Sequence, residues 1–81
     1  MLMNSDMVNE VFLIENINAS EEEKRVLKTI GITEGKKMLI LGKGYLEGSI
    51  LVNVDNIVLQ LNPHFLKAIE GSLISEKMKN R

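Results

Sequence analysis

Residues 27–41 read LKTIGITEGKKMLIL, and within them the chain changes period. Up to Ile30 the pattern is that of a helix. Ser20 followed three places later by Glu23 makes a capping box, in which the hydroxyl takes an orphan backbone N–H and the carboxylate reaches back to the cap. Glu21, Glu22 and Glu23 stand at the positive end of the helix dipole, and Lys24, Arg25 and Lys28 come after them toward its negative end. Val26, Leu27 and Ile30 form one narrow apolar stripe. Gly31 falls just past the helix, where a left-handed backbone costs glycine little. Ile32 is placed to fold back against the last turn, and Gly35 to turn the chain into a strand. From Met38 four apolar residues stand in a row, and the period drops from 3.6 to 2.

Working outward, the predicted order is strand, helix, three strands, one helical turn and a strand. Upstream, VNEVFLIENI (8–17) mixes β-branched and aromatic residues with polar ones, as strands do. Downstream, KKMLIL, SILVNV and NIVLQL are three strand-like runs, separated by GKGYLEG and VDN, both of which are turn chemistry. Asn62 before Pro63 predicts an N-cap and the first residue of a short helical turn. Residues 69–74 come next as a last strand. Short strands with tight connections in so short a chain predict a mainly β fold with short helices, closed into a small, strongly bent barrel. Residues 1–7 are expected to be a disordered N-terminus, 8–74 the barrel domain, and 75–81 (SEKMKNR) a charged tail.

At 81 residues the chain is one small domain, with about 60–65% of the unfolded surface buried on folding. The 10 basic and 11 acidic residues leave a formal charge of −1, which argues against nucleic acid as a partner. There is no cysteine, so disulfides, thiolate zinc sites and cysteine nucleophiles are excluded, in keeping with a reducing compartment. The start MLMNSDMVNEVF lacks a basic n-region and carries Asp6 and Glu10, unlike a signal peptide. No apolar run approaches the roughly 18–20 residues of a membrane span. The expectation is a soluble cytoplasmic domain without membrane insertion.

Chemistry-bearing residues are few. His64 is the single histidine, placed in the first turn of a short helix with no second histidine or cysteine to share a metal. Glu21, Glu22 and Glu23 could be taken for a carboxylate cluster, but capping and the dipole already account for them, and consecutive helical residues point apart. GKGYLEG has neither the spacing of a phosphate loop nor a helix after it, so a glycine-rich hairpin is the plainer reading. Ser20, Ser49, Ser72 and Ser75 have no elbow motif. No catalytic constellation results, and neither an enzyme, a cofactor nor a bound metal is expected.

The strand faces say more. If Ile50, Val52 and Val54 point inward, Leu51 and Asn53 point outward; if Ile57, Leu59 and Leu61 point inward, Val58 and Gln60 point outward. In MLIL both alternating pairs are apolar. Leu39, Leu41, Leu51 and Val58 therefore predict a second apolar surface outside the barrel, with Tyr45 on the hairpin tip as an anchor; Lys24, Arg25, Lys28, Lys36, Lys37 and Lys43 either rim it or are simply a solvated face. Such a surface either lies under the helix, the first strand or the C-terminal segment, or meets a protein partner.

RVLKTIGITEGKKMLILGKGYLEGSILVNVDNIVLQLNPHFLKAI resembles the FeoA family, the small ferrous iron transport protein A domain. The family pattern is a helix ending in Leu-x-x-Leu-Gly-Leu/Ile, a short spacer, a glycine and an alternating apolar strand. Leu27, Ile30, Gly31, Ile32 and Gly35 take those places, with Ile30 where leucine is usual, and the match covers roughly residues 24–70. VNEVFLIENINAS lacks the glycine turn with which the family usually opens. The resemblance implies an SH3-like β-barrel without catalytic activity, an accessory of FeoB-type ferrous iron transporters that binds their cytoplasmic part. Homo-oligomers are compatible with it. Two other readings of the chain are a small SH3-like module that binds RNA, and a regulator that binds metal weakly through His64 and nearby carboxylates.

Overall fold

A capped start and a glycine stop define the first helix, α1 (Glu21–Thr29). The Glu23 N–H donates to Ser20 Oγ at 3.1 Å, and the Ser20 N–H donates to Glu23 Oε1 at 3.2 Å. At the other end Gly31 adopts a φ of 91°. Its N–H donates to the Lys28 carbonyl at 3.0 Å, and that of Ile32 to the Leu27 carbonyl at 2.9 Å. This is a Schellman motif, which satisfies carbonyls the helix leaves orphaned. The apolar contact that accompanies it is formed by Leu27 and Ile32, both fully buried. The chain then joins the sheet early, because Gly35 N–H donates to the Ile14 carbonyl at 2.8 Å and Ile14 N–H to that of Lys36 at 2.9 Å.

The computed structural model describes residues 1–74; the charged tail expected at 75–81 lies outside the described residues. The strands are β1 (Val11–Ile17), β2 (Lys37–Lys43), β3 (Ile50–Val54), β4 (Ile57–Leu61) and β5 (Ile69–Ile74), and the second helix is α2 (Pro63–Leu66). Asn62 caps α2 by accepting the Phe65 N–H at 3.0 Å, with Pro63 in the first turn. All strand pairs are antiparallel, in the spatial order β4-β3-β2-β1-β5. Register shifts between Ile14 and Asn16 and between Ile40 and Gly42 bend the sheet. The result is a mainly β, SH3-like barrel that stays open between β4 and β5, its two end strands.

One face of this bent sheet wraps the core. Phe12, Ile14, Met38, Ile40, Val52 and Ile69 have no exposed surface there. Three details depart from the sequence-based expectation. The stripe expected on α1 reduces to Leu27, since Val26 is 52% and Ile30 40% exposed; a helix of this length at the barrel's end presents only one position to the core. Ile57, inward if β4 alternates with Leu59 and Leu61, is 56% exposed, because β4 is an end strand with no neighbour on its far side among the described residues. Of the first seven residues, expected to be disordered, Met1 and Leu2 lie along β5. The Met1 ammonium donates to the Gly71 carbonyl and the Gly71 N–H to that of Met1, both at 2.9 Å. Leu2 bridges Glu70, and Met3 is buried in the core. An edge strand's main-chain groups need partners, and this segment supplies some of them.

Adjacent helix positions should therefore differ sharply in chemical denaturation. Leu27→Ala should cost about 2–5 kcal/mol through the cavity it leaves, whereas Val26→Ala should stay within about 0.5 kcal/mol. Equal losses would contradict this placement of α1.

Candidate functional site

The face of the sheet turned away from the core carries a row set by strand register. Val11 pairs with Ile74 on one side and Leu39 on the other; Leu39 pairs with Asn53, and Asn53 with Val58. Residues opposite one another share a face, so Ile74, Val11, Leu39, Asn53 and Val58 run across the whole sheet. Leu51, two residues before Asn53, lies on the same face opposite Gln60. Leu41 is the extra residue of the β2 irregularity between Ile40 and Gly42, and it is half-buried. Leu39 is 36% and Val58 57% exposed. α1 does not cover this face: its one buried residue joins the core. β1 lies beside β2 and β5 beside β1, within the sheet instead of over it.

The loop after β2 is anchored by a side chain. Gln60 Oε1 accepts the N–H of Tyr45 at 2.5 Å and of Leu46 at 3.0 Å. The buried Ser49 hydroxyl lies 2.9 Å from the same oxygen and 2.5 Å from the Leu46 carbonyl, so its single proton serves one of them at a time. The approach requires glycine at position 44, where a Cβ would stand 2.1 Å from Ser49 Oγ and 2.6 Å from Gln60 Oε1. With its backbone held, the loop presents Tyr45 at 88% and Leu46 at 63% exposure, over an open groove of about 520 Å³ shared with Met3, Asn4 and Ser5. Tyr45 is thus attached to the strand whose Gln60 faces Leu51.

Two ion pairs stand out among the described residues. Lys36 Nζ lies 2.5 Å from Asp55 Oδ2, joining the approach to β2 with the β3–β4 turn. Lys24 and Lys28 instead border a small groove with Ile17, Ile32 and Glu34. His64 Nε2 lies 2.7 Å from Glu23 Oε2, linking the first turns of α1 and α2. That hydrogen bond, with the one from the Ser20 backbone, holds the Glu23 carboxyl below its ordinary 4.5. Among the described residues no three His, Cys, Asp or Glu gather as a metal site. Likewise, no helix among them is long and apolar enough to cross a membrane.

Of the residues expected to form a contact surface, Leu39, Leu51 and Val58 share the outer face and Tyr45 is tied to it through Gln60. Val11 and Ile74 escaped that expectation, as did Gln60's hold on the loop. Val11 was legible in principle, because VFLI, like MLIL, is apolar on both alternating sets. Ser20, Leu27, Ile30, Gly31, Ile32 and Gly35 lie at the helix, its ends and the entry to β2, away from this row.

The family model of the FeoA domain matches residues 3–73. No curated protein sequence matches the chain significantly. Among solved structures it is similar to iron(II) transport protein A from Clostridium thermocellum, with a TM-score of 0.81 at 19% identity, over 91% of this chain but 46% of that one. It is also similar to the FeoA protein of Chlorobium tepidum, with a TM-score of 0.75 at 18% identity over 95% and 73% of the two chains. A third similar fold is a crystal structure of an iron uptake regulatory protein (FeoA), with a TM-score of 0.72 at 15% identity over 83% and 86%.

Two substitutions check the site's geometry. Gln60→Ala should cost about 1 kcal/mol and speed amide exchange at Tyr45 and Leu46, while Gln60→Glu, which keeps the acceptor, should preserve their protection. His64→Ala should raise the Glu23 pKa toward 4.5 in an NMR titration. A carboxyl depressed by folding stabilises the fold above its unfolded pKa, and that contribution fades as pH falls below 4.5 through the folded value. The variant should therefore lose the stabilisation at neutral pH and show a weaker dependence across that acid window. An unchanged Glu23 titration would contradict the pair.

Proposed function

The chain belongs to the FeoA domain family, and on that premise we propose that it is a non-catalytic accessory of ferrous iron transport. It works in the cytoplasm, where it binds the cytoplasmic part of a FeoB-type transporter. The observation that carries the proposal is the apolar row on the outer face, with Leu39 and Val58 exposed and Tyr45 held out beside it. Contiguous exposed apolar surface marks interfaces, and an exposed aromatic whose backbone is anchored at its margin suits a contact residue. Leu39, Leu41, Tyr45, Leu51 and Val58 form the contact. Similar folds include an iron(II) transport protein A and an iron uptake regulatory protein, which supports the iron assignment.

The test is a calorimetric titration of the protein with the cytoplasmic domain of a ferrous iron transporter. Saturable binding is expected, and Tyr45→Ala should weaken it about tenfold with an unchanged thermal midpoint, because the ring is 88% exposed. Leu51→Asp should weaken it further. Binding that neither substitution alters would rule out this face as the contact. Binding to RNA that falls steeply with salt would favour a nucleic-acid module instead.

A further inference from the structure

The two ends of the sheet are treated differently. At β5 the main chain is met by Met1 and Leu2, which pair with Gly71 and Glu70. At β4 no strand lies beyond among the described residues. The two-residue turn Asp55–Asn56, with φ of 54° and 67°, makes Val54 and Ile57 a hydrogen-bonded pair. Alternation along the ladder then makes Val52–Leu59 and Ile50–Leu61 bonded pairs as well. The N–H and C=O groups of Val58 and Gln60 consequently point out of the open edge. Several usual protections are missing from this short edge: it lacks proline, lysine, a bulge and any charge from Asn56 to Asn62. Ile57 and Val58 are more than half exposed on it, beside a groove of about 430 Å³ that Ile30, Val54 and Leu59 line.

We infer that β4 is a dimerisation strand, and that its partner is β4 of a second copy of this chain. Antiparallel pairing about a two-fold axis at Leu59 sets Val58 opposite Gln60 of the partner, and Gln60 opposite its Val58. Those are the residues whose main chain faces outward, so this register makes four hydrogen bonds. It stacks Leu59 on its own copy and sets Ile57 against Leu61. Identical uncharged strands meet without like-charge repulsion. Because Met1 and Leu2 occupy part of the far edge, pairing through β4 closes at two copies. So short a strand pair is at the small end of specific interfaces, which implies a dissociation constant on the order of 100 μM.

Amide hydrogen exchange of the unmodified protein, read by NMR at about 20 μM and about 2 mM, tests this directly and needs no transporter. Exchange at Val58 and Gln60 should slow roughly fivefold at the higher concentration, while Ile57, Leu59 and Leu61 are protected at both. Equal rates at Val58 and Gln60 would overturn the inference, whether the protein stays monomeric or associates through another face. Val58→Pro removes an edge N–H that the monomer does not use. By sedimentation it should remain monomeric where the wild type dimerises, with an unchanged circular dichroism spectrum. Undiminished dimerisation of a folded Val58→Pro would equally overturn the inference.

Discussion

Leu27 packed against Ile32 is the contact on which the rest of the structure depends. Leu27 is the only buried residue of α1, and through the Gly31 stop it ties the helix to the start of β2. A nine-residue helix that spends one side chain on the core cannot also spread over a five-stranded sheet. The sheet therefore closes its inner face by bending around Phe12, Ile14, Met38 and Val52, and its outer face is left with whatever its own side chains provide. In an 81-residue chain burying only about 60–65% of its unfolded surface, that shortage of cover is structural. The outer face is apolar on several strands, and this is the physical origin of the proposed contact face.

The elements that local chemistry specifies were legible. Ser20 with Glu23, Gly31 with Ile32, and Asn62 with Pro63 each specify a helix end through bonds between near neighbours, and the structure contains those bonds. Strand alternation placed Ile50, Val52 and Val54 in the core. What failed depends on neighbours distant in sequence. Ile57 would be inward by period alone, and its exposure results from β4 being the end strand. Met3 has no periodic context, so its burial comes only from the position of β5. Gln60 looked like an ordinary outward polar residue, and its role exists because the loop 44–49 returns to it.

The two surfaces use the sheet differently. The outer face offers side chains in a row whose order is fixed by register, suited to a partner read through apolar contact. The β4 edge offers main-chain groups in the alternation of a hairpin, suited to another strand. They meet at Val58, whose side chain belongs to the face and whose N–H belongs to the edge. Glu23 with His64 and Lys36 with Asp55 are ion pairs that lie apart from Val58.

Whether the outer face meets the transporter is decided by mapping amide shifts of the labelled protein as the transporter's cytoplasmic domain is added. Changes should concentrate at Leu39, Tyr45, Leu51 and Val58, with α1 residues such as Arg25 unmoved. Shifts confined to α1 and its first-turn neighbour His64, or none at saturating partner, would contradict that contact.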